Sequence, residues 1–277
     1  TWSVDGGIDL TGADAFNAGT GTVELTNSAT ITSAGKSFAT LSLAPGAAGT
    51  VTLADAASAT TLAFNQLGAA SLAGTPALTL GNGGISRPDL VGSEGIHTIA
   101  CPLTVTADLA IANAADGGRL VISGIISESG GARALSTTGA GTTALTAANA
   151  YTGATTLGGG TLLANNSSGS ATGTGTVGVG TGTTLGGTGT CAGAVTVDGT
   201  LAPGDSGIGT LTLGSATLNS AATVAIGFAG SSHDVVAVTG ALAVDGSIAV
   251  STATTITDGT YQLITTAAPP LTDNSIA

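Results

Sequence analysis

Lysine and arginine together number 4 in this chain of 277 residues, against 16 Asp plus Glu, for a formal net charge of −12. The four cations, Lys36, Arg87, Arg119 and Arg133, are scattered, so no basic stripe exists to neutralise phosphates and nucleic acid is excluded as a partner. The same scarcity argues against docking on an anionic membrane surface, where each Lys or Arg contributes about 1 kcal/mol. Aromatic residues make up 3%, with one Trp, two Tyr and four Phe. A polysaccharide hydrolase or lyase needs paired carboxylates or a basic group in a groove, usually with aromatic platforms for the sugar rings, and no such set stands out. The chain reads as non-enzymatic, with no catalytic residues. Methionine is absent, from which we expect that the initiator has been removed, most simply with a secretion signal. Long apolar runs are missing too. The most apolar stretch, Val235 to Val250, is broken by Thr239, Gly240, Asp245, Gly246 and Ser247, short of the ~18 residues of a membrane helix. No His/Cys/Asp cluster has zinc spacing and the Gly-Gly-x-Gly-x-Asp calcium repeat is missing, so neither metal nor cofactor is expected.

Glycine is what the chain has in excess, 46 residues, beside 42% hydrophobic residues and a mean hydropathy of +0.49. That apolar content is the opposite of a disordered chain, and the glycines keep no three-residue period, which excludes collagen. Short alternating segments recur instead: Thr50 to Leu53, Leu103 to Val105, Leu120 to Ile122, Val195 to Val197, Leu211 to Leu213, Val236 to Val238 and Ile248 to Val250. Each predicts a strand bounded by Gly, Asn, Asp or Ser. No segment holds a 3.6-residue period, and even the Ala-rich stretch Ala54 to Ala73 is interrupted by Thr60, Thr61 and Gly68, so little or no helix is expected. From Thr184 onward, apolar-x-apolar-x-Gly units return every 10 to 20 residues or so, the mark of a repeat architecture. The fold expected is all-β, a right-handed parallel β-helix (β-solenoid) with roughly 20 residues per coil. Its narrow interior selects small and β-branched side chains. Its corners, at residues such as Gly199, Gly204 and Gly214, call for Gly, Asn and Asp with positive φ.

The run Thr137-Thr138-Gly139-Ala140-Gly141-Thr142-Thr143-Ala144-Leu145 is followed by Asn149-Ala150-Tyr151-Thr152-Gly153-Ala154-Thr155-Thr156-Leu157 and Gly160-Thr161-Leu162. Further on come Leu185-Gly186-Gly187-Thr188-Gly189-Thr190 and Leu201-Ala202-Pro203-Gly204-Asp205-Ser206. These residues resemble the autotransporter-associated β-strand repeat, also called the passenger-associated transport repeat, over about Asp116 to Thr260. The resemblance implies a β-helical segment of an exported bacterial surface protein, adhesive or structural. On it the chain divides into residues 1–115, a β-solenoid portion that shares only the style of the repeat, and 116–277, the repeat-bearing β-helix, continuous with the first. Two departures stand out: the chain carries no membrane barrel, and it stops after Pro269-Pro270-Leu271 where family members usually continue.

Several residues invite a chemical reading. Gly204-Asp205-Ser206-Gly207 resembles a serine-protease nucleophile segment, but Ile208 follows where a second Gly belongs, and neither His97 nor His233 has the matching context. A Pro-Gly corner explains it better. His233 and Asp234 could form an acid/base pair, yet neighbours on a strand face opposite ways. His97, alone before Thr98-Ile99, reads as a satisfied edge residue. Cys101 and Cys191 are about 4.5 coils apart at roughly 20 residues per coil, or ~20 Å. That is far beyond the ~7 Å reach of a disulfide, so they stand as buried free thiols or as candidates for a bridge between subunits. The pairs Thr30/Thr32, Thr50/Thr52, Thr104/Thr106, Thr181/Thr183, Thr188/Thr190, Thr210/Thr212 and Thr255/Thr257 are similar to those of ice-binding solenoids but keep no single period. The reading that gathers these features is an extracellular or cell-surface structural filament of head-to-tail copies, a homopolymer, with Leu271 and Ile276 in a candidate assembly tail. The alternative is an adhesin that binds a host or polysaccharide ligand.

Overall fold

In a computed structural model the described residues are 1–13, 19–44, 49–65, 68–88, 95–114, 118–252 and 260–267. They are all-β, with no helix among them, and their parallel strands stack as a β-solenoid. The chain divides into two compact units, Thr1–Ala144 and Leu145–Ala277.

In the first unit, one sheet runs through Trp2–Val4, Thr22–Leu25, Ser37–Leu43, Ala57–Phe64, Leu78–Arg87 and Leu109–Asn113 to Leu135–Thr138. A second runs through Ile8–Asp9, Ala29–Thr32, Gly49–Leu53, Ala70–Ala73 and Ile96–Ile99 to Arg119–Ile122. Every pairing is parallel. The alternation of apolar and hydroxyl residues sets the facing: Gly49–Leu53 buries Gly49, Val51 and Leu53, while Thr50 is exposed. Parallel register then brings like onto like, so that Val23, Leu41, Leu62, Ile85 and Ile111 form one continuous buried column. Val51, Leu72, Ile99 and Ile122 form its counterpart in the second sheet. Each such side chain contributes about 1.5–3 kcal/mol by leaving water. The interior also accepts aromatic rings that the composition had made scarce, with Phe38 and Phe64 both fully buried.

The second unit repeats the scheme. One sheet joins Thr155–Leu157, Val177–Val179, Thr190–Val197, Thr210–Leu218, Val235–Val238 and Ile264–Thr266. The other joins Thr161–Ala164, Thr184–Gly187, Thr200–Pro203, Thr223–Ala229 and Ser247–Thr252. Leu162, Leu185, Leu201 and Val224 make a buried column. A short antiparallel hairpin, Phe228–Ala229 against Ser232–His233, turns at Gly230 with φ +67°.

The corners depart from the expected division of labour. Gly204 has φ +94°, as a corner glycine should, but Gly199 and Gly214 do not adopt positive φ; there a side chain would collide with the carbonyls of Gly180 and Ala192 on the preceding coil. Among the described residues other than glycine, positive φ falls to Ala34 and Ser206, not to Asn or Asp. The acids and amides instead tie one coil to the next. Asp55 accepts from the backbone N–H groups of Ser33 and Ala34, each at 2.6 Å. Asn219 donates to Asp198 at 2.8 Å, and Asn27 donates to Asp5.

Candidate functional site

The Gly204-Asp205-Ser206-Gly207 segment is a corner held at several points. Gly204 and Gly187 exchange backbone hydrogen bonds at 2.9 and 3.0 Å, and Ser206 takes φ +63° at the apex. Asp205 accepts from Asn165 at 2.8 Å across 40 residues, while the same Asn165 accepts from the N–H of Thr188. One amide thereby spans successive coils. Asp234, which is buried, receives the N–H of Gly209 at 2.7 Å on one oxygen and that of Gly227 at 2.8 Å on the other. A carboxylate with both oxygens taken by backbone donors holds the chain in place.

His233 looks elsewhere. Its Nδ1 donates to the carbonyl of Asp234 at 2.8 Å, and its ring packs 5.3 Å from both Phe228 and Tyr261. Phe228 and Tyr261 meet edge to face at 5.0 Å. The imidazole is therefore engaged with rings and a carbonyl rather than with Ser206 or the Asp234 carboxylate, and His233, Asp234 and Ser206 are not assembled as nucleophile, base and orienting acid. Among the described residues, no group of three or more His, Cys, Asp or Glu could hold a metal ion.

Both cysteines are free and buried. Burial pushes the Cys101 thiol up to about 11. Cys191 is likewise pushed up to about 11 by burial, partly offset by the hydroxyl of Thr172 beside it. Near it the buried Tyr151 hydroxyl meets Thr155 Oγ1 at 2.7 Å, and burial raises the phenol well above its usual range. A thiol with its thiolate suppressed in this way is a poor nucleophile. A bridge between molecules through either sulfur requires the coil around it to open first. Leu271 and Ile276, the candidate assembly tail, lie outside the described residues.

The Thr-x-Thr pairs do not build a two-column array. Thr30 stands beside Thr52 rather than Thr50, so successive pairs are offset by two residues, and Thr183 is buried. Thr255 and Thr257 lie outside the described residues. Single hydroxyl columns do form. In the second unit Thr161, Thr184, Thr200, Thr223 and Ser247 follow one another across five strands.

One cluster went unread in the sequence. Arg87 is fully buried: its Nε donates to His97 Nδ1 at 2.9 Å, one Nη to Asn113 Oδ1 at 3.0 Å and the other to the carbonyl of Gly95 at 3.1 Å. Asn113 in turn donates to the carbonyl of Thr142 at 2.9 Å and reaches Thr143 Oγ1 at 3.3 Å. His97, expected at an edge, sits in the interior with its ring 5.0 Å from Phe64, and its Nε2 is buried without a hydrogen-bond partner. Strand parity carried the signal. Arg87 follows inward-facing Ile85 by two residues, Asn113 follows Ile111, and His97 precedes Ile99, so all three point inside.

No family model matches the chain, and no curated protein matches it. No helix among the described residues is long and apolar enough to cross a membrane, which leaves strand-built barrels unaddressed.

Proposed function

We propose that this chain is a non-enzymatic structural protein of a bacterial cell surface, a rigid β-solenoid whose copies associate head to tail into a filament. The observation that carries the reading is the repeated use of one rule in each unit: coil after coil adds strands to both sheets by parallel pairing over stacked apolar columns. A strand from another copy can continue that rule without new chemistry. The side chains with catalytic potential support it as well, since Asp234, Asp205 and Asn165 are spent on holding backbone corners. The resemblance of residues 116–260 to the autotransporter repeat supplies the exported setting. Electron microscopy of the purified chain across a concentration series tests the assembly. Filaments that lengthen with concentration are expected, and a monodisperse monomer at high concentration overturns it.

The hydroxyl column from Thr161 to Ser247 favours a second reading, an adhesin that binds polysaccharide. Strands set ~4.8 Å apart present a hydroxyl at each step to a glycan laid along the coils. A glycan-array signal abolished by Thr200→Lys, in a chain that remains folded, would promote this reading over the filament.

A further inference from the structure

We propose that the contact between Arg87 and His97 is an acid-operated latch inside the first unit: the neutral imidazole holds Arg87 in the interior, and protonation of the ring releases it. The direction of the hydrogen bond fixes the protonation state. A guanidinium only donates, so His97 Nδ1, 2.9 Å from Arg87 Nε, must carry a lone pair. The ring is then neutral with its proton on Nε2, the buried atom that has no partner. The next proton can go only to Nδ1, where it would face the Arg87 N–H.

A proton there breaks the hydrogen bond from Arg87 Nε and sets a second N–H donor against the first. The Gly95 carbonyl favours a protonated ring, but it already accepts from Arg87 at 3.1 Å. Phe64 packs against the ring, and Ala70 and Leu120 stand in register with His97 on the neighbouring strands; all three are uncharged. Asn113 is neutral, and Arg119 is paired in register with Ile96, on the opposite parity to His97. Asp89 and Glu94 belong to a segment outside the described residues. Desolvation first, and the Arg87 charge second, lower the imidazole from 6.5 to about 4.

The folded chain therefore refuses a proton that the unfolded chain accepts. The stabilisation is whole above pH ~6.5, declines as pH falls from there toward ~4, and is not recovered below. Release frees Arg87 from His97 and takes a donor from Asn113 Oδ1, the amide whose Nδ2 meets Thr142 and Thr143.

Urea unfolding of the full chain from neutral pH down to about pH 4, for wild type and His97→Gln, provides the test. The glutamine oxygen can accept from Arg87 Nε but does not titrate. We expect the wild-type folding constant to fall by up to tenfold per pH unit in that window, and the variant to fall much less. Equal falls overturn the latch and assign the acid response to carboxylates. Should the variant fail to fold, ¹⁵N spectra of the imidazoles in the native wild type decide. A His97 ring that stays neutral with its proton on Nε2 until near pH 4 supports the latch. Titration near 6.5, or a proton on Nδ1, overturns it.

Discussion

At the scale of single residues, the two cysteines show how position overrides chemistry. Both thiols are buried and pushed up to about 11 by desolvation, so the reactive thiolate is scarce at neutral pH. An aromatic disulfide reagent should leave the native chain unlabelled over hours and modify both sulfurs promptly in denaturant. Rapid labelling of native protein would show that one coil opens readily. Parity explains why some of this was legible beforehand and some was not. The buried columns through Val51, Leu103 and Leu211 follow from alternation alone. Arg87 obeys the same alternation, but a charged side chain is normally assigned to solvent. Its interior place becomes intelligible only once the polar groups of His97, Asn113 and Gly95, brought together from separate strands, are seen to receive it.

Among the elements, strands were easier to foresee than corners. A strand is set by its own alternation, whereas a corner depends on the coil stacked beneath it, and that neighbour is about 22 residues away. Gly199 and Gly214 illustrate this: glycine is required by the approach of another coil's carbonyl, not by a turn of their own. The Asp234 corner belongs to the same class. Asp234→Ala would leave the part-buried N–H groups of Gly209 and Gly227 without their acceptor, at a cost of about 1 kcal/mol for each, the low end of the range for a lost partner. The expected outcome is a lower urea midpoint with strand content retained by circular dichroism. A midpoint within error of wild type would mean that water replaces the carboxylate freely. Gly187→Ala should be of similar severity, because Gly187 combines φ +105° with a collision against the Ala164 carbonyl.

For the molecule as a whole, the repeated ties set the pattern of stability. Side-chain bonds between coils recur at sequence separations such as 21, 22, 24 and 26 residues. Stability is then nearly a sum of coil-on-coil terms. A substitution deep in one column, such as Leu62→Ala, should cost about 2–5 kcal/mol and act chiefly on the coils that Leu62 touches through Leu41 and Ile85. Hydrogen exchange would map that loss, and protection lost evenly across all strands of the first unit would contradict it. The register of each coil lay beyond what repeat spacing could supply, since coil length varies from the Thr184–Thr200 pairing to that of Val236–Ile264.

The Asn165 amide, which bonds to Thr188 and to Asp205 at once, gives this stack a mechanical signature. Pulled from its two ends, a chain whose coils detach singly lengthens by about 80 Å for every ~22 residues freed, at roughly 3.6 Å per residue. Where one side chain rivets several coils together, they must yield as a block, and the extension jumps by a multiple of that step. Single-molecule stretching should therefore trace a staircase with one triple-height tread in the second unit, and Asn165→Ala should split that tread into single steps.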